Sequence, residues 1–423
     1  MKKLKRISGL LLAIVSFVLV LSACSGGTSI TDDEQSGGEG EAAEASKDVT
    51  IWFHYTGKQQ EEFLSLIDAY NESQDQYEVE GEYVPFADVK KQLSVGVAGG
   101  TLPDMALMDV VDNAAFAEQG VLEDITSKVE EWGEIDNFYE GPVESATYDG
   151  KYYGLPVGSN ALGLFYNEDL LKEAGIEEPP TTWDELKEDA KALTNDDTKG
   201  FAVSAVKSEE GAFQFYPFLR SAGADYDSLD SEGAVEAMTL LTDMIEEGSM
   251  GSDVVNATQD DLARQFAAGK LAMMVNGPWN IERLKEESPD MNFSISQIPK
   301  DEQYASVLGG ENLTIIKDGN VDGAFDFLTW FLEPDRHETF TYETGVFPAR
   351  KDVLENSDHW TEDPYLSGFV PIMDGAVPRG PSPQWPEISE SIQIAIQESL
   401  TGTKSPEEAL NKASESVSET VDQ

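Results

Sequence analysis

Strand-like and helix-like segments alternate along this chain, and the alternation limits the folds that it can adopt. Val49 to Phe53 is β-branched and aromatic, which predicts a buried strand. Residues 58–71 then carry apolar side chains at helical spacing, and 77–84 alternates like a second strand. A second helix is predicted at 89–97 and a third strand at 105–108. The order β-α-β-α-β predicts an α/β layered domain around a parallel sheet.

The same alternation continues to the C-terminus without a repeat of fixed period. Further strands are predicted at 162–166, 201–206 and 271–275, and further helices at 182–193, 234–245, 261–268, 321–332 and from 405 onward. Thr182-Trp183-Asp184-Glu185 is a capping box that opens one of these helices. These elements are too many for one compact core, and two α/β lobes are therefore the simplest interpretation.

The N-terminus has the features of a bacterial lipoprotein signal. Several lysines and an arginine precede an apolar run of 15 residues, Ile7 to Leu21, which is shorter than the roughly 20 residues of a membrane span. Leu21-Ser22-Ala23-Cys24 looks like a lipobox, in which cleavage leaves a lipidated cysteine as the first residue. The prediction is a signal peptide at 1–23 and lipidation of Cys24. The alternative is a short membrane anchor with an incidental cysteine.

A tether follows, and the charge of the whole chain excludes several partners. Residues 24–48 are rich in Gly, Ser, Ala and acids, which predicts a flexible acidic segment. The chain has 81 acidic against 28 basic residues, a net charge of −53, and such a surface repels nucleic acid. One cysteine and three histidines argue against a disulfide framework and a multi-histidine metal site.

Two short motifs look catalytic or metal-binding, but simpler interpretations are preferred. Ser204-Ala-Val-Lys207 matches Ser-x-x-Lys, yet it lies in a predicted strand and its companion Lys-Thr-Gly is missing. The run 318–323 resembles the start of a calcium loop, but position twelve would be Thr329 instead of Glu. We interpret it as a polar turn that caps the next helix. No catalytic residue, metal or cofactor is predicted.

Aromatic side chains beside turn residues at strand ends are the most informative candidates. Sugar rings present flat C–H faces that stack on aromatic rings, and hydroxyls that need donors and acceptors. His54 and Tyr55 follow the first strand, Trp279 follows Asn-Gly-Pro, and Trp385 lies in a proline-rich segment. A tryptophan in a turn is not easily explained as core, although structural packing remains the alternative for both. Trp183 is interpreted as a packing residue at a helix start.

Several longer segments resemble a known family when taken in order. They are Gly99 to Asp104, Tyr153 to Val157, Asn160 to Leu171, Phe266 to Trp279, Gly309 to Asn312 and Gly345 to Lys351. From residue 49 onward the chain resembles the extracellular solute-binding lipoproteins of bacterial ABC importers, in the carbohydrate-binding branch that includes maltose-binding protein. The most specific of these segments ends in Gly-Pro-Trp279.

This resemblance implies a two-lobed α/β fold with the ligand in a cleft between lobes that move about hinge strands. Lobe one is expected at 49–158 and 312–362, and lobe two at 163–308 and 366–423. The hinges are expected near 159–162, 309–311 and 363–365.

The resemblance also suggests site residues. Trp279 matches the stacking tryptophan of the family, and Trp385 is a second aromatic platform. Asn160 stands where maltose-binding protein has a cleft carboxylate, and Asp112 replaces an arginine, which argues against maltose itself. The full set of predicted ligand contacts is His54, Tyr55, Asp109, Asp112, Asn160, Phe213, Trp279, Glu311, Asn312, Arg379 and Trp385.

The expected function is a monomeric, lipid-anchored receptor on the extracellular face of the cytoplasmic membrane. It would capture a carbohydrate, in particular an oligosaccharide, and deliver it to an ABC permease driven by a separate ATPase. The alternatives are a receptor for a polyol phosphate such as glycerol 3-phosphate, a secreted carbohydrate-active enzyme, and a structural surface lipoprotein.

Overall fold

The computed structural model describes residues 47–380 and 382–421. The predicted signal peptide, the lipidation of Cys24 and the predicted tether up to residue 46 lie outside these residues. The first strand begins at Asp48, one residue before its predicted start. No helix within the described ranges is long and apolar enough to cross a membrane.

Strands and helices alternate throughout, as predicted. In chain order, the strands are β1 Asp48–Phe53, β2 Glu78–Tyr83, β3 Met105–Asp109, β4 Thr147–Tyr148, β5 Lys151–Tyr152, β6 Gly154–Ala161, β7 Gly163–Asn167, β8 Lys199–Ala202, β9 Leu271–Asn276, β10 Phe293–Ser296, β11 Ser306–Ile315 and β12 Ala376–Pro378. The helices are α1 Gly57–Ser73, α2 Phe86–Gly99, α3 Asn113–Glu118, α4 Thr126–Trp132, α5 Glu140–Ser145, α6 Glu168–Glu173, α7 Trp183–Leu193, α8 Glu209–Ser221, α9 Glu232–Glu246, α10 Gln259–Ala267, α11 Ile281–Glu287, α12 Val321–Phe331, α13 Pro334–Glu343, α14 Lys351–Asn356, α15 His359–Glu362, α16 Val370–Asp374, α17 Trp385–Leu400 and α18 Pro406–Val421.

The first lobe is built on a sheet of order β12-β11-β3-β1-β2, with β6 also paired to β11. β1 pairs in parallel with β2 and β3, as the βαβ pattern predicted. β11 is antiparallel to both β3 and β6, so the sheet is mixed and not parallel throughout. The apolar side chains on one side of this sheet form a core with Phe63 and Tyr70 of α1 and with the buried face of α12.

The second lobe is built on a sheet of order β10-β7-β9-β8. Only the β8–β9 pair in this sheet is parallel, while β7 is antiparallel to both β9 and β10. Helices α7, α8, α9, α10, α17 and α18 contribute most of the large apolar cluster around it. β8 ends at Ala202, four residues before the predicted end, since its last ladder pair is with Met274 of β9.

The residue boundaries of the two lobes and of the hinges between them stay a prediction. The apolar cluster of the second lobe includes Phe347, Val353 and Trp360, which the prediction assigned to lobe one. Two predicted hinge segments lie side by side, because Asn160 of β6 is paired with Gly309 of β11. Gly310, the next residue of β11, has φ +138°. A Cβ at this position would lie 2.3 Å from the Gly158 carbonyl oxygen, so only glycine fits.

Local predictions about caps agree with the structure. Thr182 and Glu185 form the capping box of α7, and Trp183 is buried behind it. The Asn320 side chain accepts a hydrogen bond from the backbone N–H of Gly323 and so caps α12. The segment 318–323 is therefore the predicted helix-capping turn. Among the described residues, no group of three His, Cys, Asp or Glu side chains is placed to hold a metal ion.

Candidate functional site

A cavity with a volume of about 510 Å³ lies between the two lobes. This is within the range of about 300–1,000 Å³ that is typical of small-molecule sites. The ends of β1, β3 and β9, the middle of β11 and the starts of α2 and α10 surround it. We call it the main cavity.

Two stacked aromatic rings form one wall of the main cavity. The rings of Phe213 and Trp279 have centroids 6.4 Å apart and planes inclined by 28°. Trp279 lies in a 3-10 turn directly after β9, and its ring folds over Gly277, where a Cβ would come within 1.9 Å of the indole. The Gly-Pro-Trp sequence is thus needed to lay the indole along the wall.

A buried arginine supports this aromatic wall. The guanidinium carbon of Arg379 lies 4.3 Å from the centre of the Phe213 ring, which is cation–π geometry. Arg379 donates a hydrogen bond to Asp109 at 3.1 Å and another to Glu209. Asp109 ends β3 of the first lobe and Glu209 begins α8 of the second, so Arg379 links the lobes behind the cavity.

Five polar atoms in the cavity wall are buried and have no hydrogen-bond partner among residues 47–380 and 382–421. They are His54 Nε2, Asn160 Oδ1, Gln259 Oε1, Glu311 Oε2 and Arg379 Nε. Buried polar atoms are nearly always hydrogen-bonded, so a convergent set without partners indicates a site for a polar ligand. Acceptors and a donor occur together in this set, as a polyhydroxylated ligand requires.

The wall residues His54 and Glu311 are both electrically neutral near pH 7. Burial lowers the pKa of His54 to about 4. Burial, together with the nearby Asp109 carboxylate, raises the pKa of Glu311 to about 8 although Arg379 acts in the opposite direction. A protonated Glu311 can donate a hydrogen bond as well as accept one.

Direct contacts join the lobes at the rim of the cavity. The Thr56 hydroxyl, just after β1, donates to Asp260 of α10 at 3.0 Å. Arg283 of α11 donates to the same carboxylate oxygen at 2.9 Å. The two lobes therefore enclose the cavity from both sides.

Most of the predicted contacts come together here. The main cavity is lined by seven of them: His54, Asp109, Asn160, Phe213, Trp279, Glu311 and Arg379. They come from separate parts of the chain, which the sheet pairings bring to one place. Their contact with a ligand remains a prediction.

The structure places the other four elsewhere. Trp385 is 0% exposed because it starts α17 in the core of the second lobe. Tyr55 packs between Phe63 and Phe340 in the first core and is not one of the residues that line the main cavity. The Asn312 amide is buried on β11 and bonded to Ser145. Asp112 is bonded to Lys90 at 2.7 Å and lines a smaller neighbouring cavity.

Sequence reasoning also missed residues of the main cavity. Phe86 directly follows Pro85 after β2, and its ring meets the edge of His54 at 5.0 Å. An aromatic beside a turn residue at a strand end was the signal used for Trp279, and it applied here as well. Gln259 and Asp260 carry no such signal, because they enter the cavity only through the docking of α10.

Comparison with known proteins agrees with this architecture. The family model described as bacterial extracellular solute-binding protein matches residues 65–368. The maltotriose-binding protein of Pyrococcus abyssi is 28% identical over 381 residues, which cover 86% of this chain and 80% of that protein.

Two solved structures of sugar complexes share the fold. Maltose-bound MalE3 of T. maritima has a TM-score of 0.81 at 26% identity, covering 88% of this chain and 99% of that one. An ABC transporter solute-binding protein of Thermotoga lettingae, bound with α-D-tagatose, has a TM-score of 0.82 at 29% identity, covering 89% and 100%. Since the family model spans well over half of its length, this chain belongs to the bacterial extracellular solute-binding proteins.

Proposed function

We propose that this protein is the carbohydrate receptor of a bacterial ABC importer, and that its ligand is an oligosaccharide. The observation that carries the proposal is the main cavity, where stacked rings of Phe213 and Trp279 face five polar atoms without protein partners. Aromatic faces match the C–H faces of a sugar ring, and the polar atoms match its hydroxyls. The names of the three similar proteins described above give maltotriose, maltose and α-D-tagatose as their ligands, which supports a carbohydrate ligand for this protein.

The charges in the main cavity favour a sugar over a polyol phosphate at this place. Each arginine of the main cavity is already paired with carboxylates: Arg379 with Asp109 and Glu209, and Arg264 and Arg283 with Asp260. A phosphate would have to compete with these internal anions for every guanidinium. A neutral polyol needs only hydrogen-bonding atoms, which this wall supplies.

The mode of action follows from the lobes. A ligand that contacts both lobes binds the closed arrangement better, and only this difference in affinity can shift the equilibrium towards closure. The closed, loaded receptor would then be presented to a membrane permease that a separate ATPase drives. We propose that the protein acts as a monomer, anchored by lipid on Cys24 at the extracellular face of the membrane, and that it catalyses no reaction.

A thermal-denaturation panel with the full chain tests the proposal. Maltose, maltotriose, galactobiose, tagatose and glycerol 3-phosphate are added in turn, and each mixture is checked for product by chromatography. A ligand at about 100 times its Kd should stabilise the protein by roughly 2.7 kcal/mol. Stabilisation by a sugar without turnover supports a receptor. Product formation, or stabilisation by glycerol 3-phosphate alone, would contradict it.

A further inference from the structure

A second cavity opens beside the main cavity and shares part of its wall. It has a volume of about 260 Å³, and His54, Phe86 and Asp109 line both cavities. This volume is slightly below the range of complete small-molecule sites, which suits one substituent or one end unit of a larger ligand. We call it the side cavity.

Three lysines line the side cavity, and two of them have no carboxylate partner. Lys90 is bonded to Asp112 at 2.7 Å. Within the part of the chain that the structure describes, Lys91 and Lys207 form no ion pair, and both side chains are exposed. The chain carries only 28 basic residues against 81 acidic ones, and three of its lysines line this one small cavity.

The two unpaired lysines come from opposite lobes. Lys91 lies on α2 of the first lobe, and Lys207 lies just before α8 of the second. Between Lys207 and α8 stands Ser208, whose Oγ is buried and has no hydrogen-bond partner. It holds the N-cap position without bonding to its own helix, so its hydroxyl is available to a ligand in the side cavity.

The acidic residues of this wall are neutralised by other partners. Asp109 and Glu209 are both bonded to Arg379, and Asp112 is bonded to Lys90. The three lysines and three carboxylates that line the side cavity balance in charge, and Arg379 behind the wall adds one positive charge. Because each of these carboxylates already has a cationic partner, Lys91 and Lys207 remain available to an anionic group of a ligand.

We propose that the side cavity is a subsite for an anionic group, a carboxylate or a phosphate, carried by the carbohydrate that occupies the main cavity. The proposal rests on the proposed function and narrows its ligand to acidic glycans. An anion held between Lys91 and Lys207 would also bridge the two lobes and so favour closure.

Matched pairs of sugars test this proposal on the full chain by calorimetric titration. The pairs are α-1,4-galactobiose with α-1,4-digalacturonate, glucose with glucuronate, and glucose with glucose 6-phosphate. We expect the acidic member of a pair to bind about tenfold or more tightly, and this preference to shrink as salt is raised. A preference for the uronates or for the phosphate identifies which anion the subsite takes.

Two double variants separate the subsite from a general effect of charge. Lys91→Gln/Lys207→Gln should abolish the preference for the acidic sugar and leave the affinity for its neutral partner unchanged. Lys172→Gln/Lys270→Gln removes two exposed lysines elsewhere and should leave the preference intact. Equal binding of both members of every pair, or an unchanged preference in Lys91→Gln/Lys207→Gln, would overturn the inference while leaving sugar binding established. Failure of every sugar to bind would overturn the proposed function as well.

Discussion

The indole N–H of Trp385 donates a hydrogen bond to Glu209 Oε1 at 3.1 Å. Glu209 also accepts hydrogen bonds from Arg379 and Ser389. Trp385 therefore helps to position the Glu209 carboxylate, which in turn positions Arg379. Arg379 in turn lies over Phe213, which stacks on Trp279. Trp385, in the core of the second lobe, is therefore connected to the aromatic wall of the main cavity through Glu209 and Arg379.

Trp385→Phe should lower both stability and sugar affinity. The ring is kept, but a buried carboxylate loses one donor, which costs about 1.5–3 kcal/mol of unfolding free energy. A less restrained Arg379 should then weaken sugar binding severalfold, as calorimetry can measure.

Trp360→Phe is the matched control for this variant. Trp360 is equally buried, and its indole donates to the neutral Val346 carbonyl oxygen at 3.0 Å. It should cost about 0.5–1.5 kcal/mol in stability without changing affinity. Equal losses of affinity in the two variants would contradict the linkage through Glu209.

Trp279→Ala should weaken sugar binding by about tenfold or more, because the stacking face is lost. Stability should change little, since Trp279 is only partly buried. Trp330→Ala removes another half-buried tryptophan, one that packs against Arg336 far from the cavity, and serves as the control. Unchanged affinity in Trp279→Ala would show that the aromatic wall does not contact the sugar.

Gly277→Ala should have a similar effect by a different route. The backbone φ of Gly277 is −112°, which alanine tolerates, but the new Cβ would meet the Trp279 ring at 1.9 Å. The ring must move away from the wall, and overpacking of this kind costs about 1–3 kcal/mol. In Gly141→Ala the nearest atom to the new Cβ is 3.8 Å away, so this control should bind sugar normally. Normal binding by Gly277→Ala would mean that the position of the ring does not matter.

Glu311→Gln should alter the pH dependence of stability. The pKa of Glu311 is about 8 in the folded protein and 4.5 as the ordinary value, so between these values the folded state binds a proton that the unfolded state has released. This carboxyl therefore stabilises the fold most at low pH, and its contribution falls by about 1.4 kcal/mol per pH unit across the window.

Urea unfolding over a pH range from 4.5 to about 9 measures this effect. The unfolding free energy of the parent chain should decline relative to that of Glu311→Gln, and the difference should level off above about pH 8. Glu80→Gln, on an exposed position of β2, should leave the profile of the parent chain unchanged. A constant difference between the parent chain and Glu311→Gln would contradict a raised pKa.

Cys24→Ala should abolish lipid attachment and move the protein from the detergent phase to the aqueous phase in a phase-partition experiment. Metabolic labelling with a radioactive fatty acid should give no signal in this variant. Ser25→Ala, one residue further on, is the control and should remain labelled and membrane-bound. A labelled Cys24→Ala protein would exclude the predicted lipidation site.

Local signals predicted most of the elements, but not every environment. Trp279 was predicted at the site because a tryptophan in a Gly-Pro turn after a strand is not easily explained as core, and it does line the main cavity. Trp385 was misplaced because its prolines were interpreted as a turn, whereas Pro386 lies in the first turn of α17, where proline is favoured. The helix start was therefore visible in the sequence but was not recognised.

Long-range pairings lay beyond the sequence patterns. Nothing in the spacing of Lys91 and Lys207 predicts that they line one cavity, because this depends on how the lobes meet. The antiparallel pairing of β11 with β3 and β6 also broke the parallel pattern predicted for the first sheet.

The central place of β11 has a consequence for the way in which the chain acquires its fold. β3 and β6 both pair with this strand, so neither has this partner until β11 has been synthesised. The hydrogen bond from Ser159 to Gly309 spans 150 residues of sequence. During synthesis the first sheet therefore keeps unpaired edges until β7 to β10 of the second lobe have been made. Contacts of such long range are slow to form, and exposed edges invite aggregation. The first sheet can therefore be completed only after the strands of the second lobe have been made.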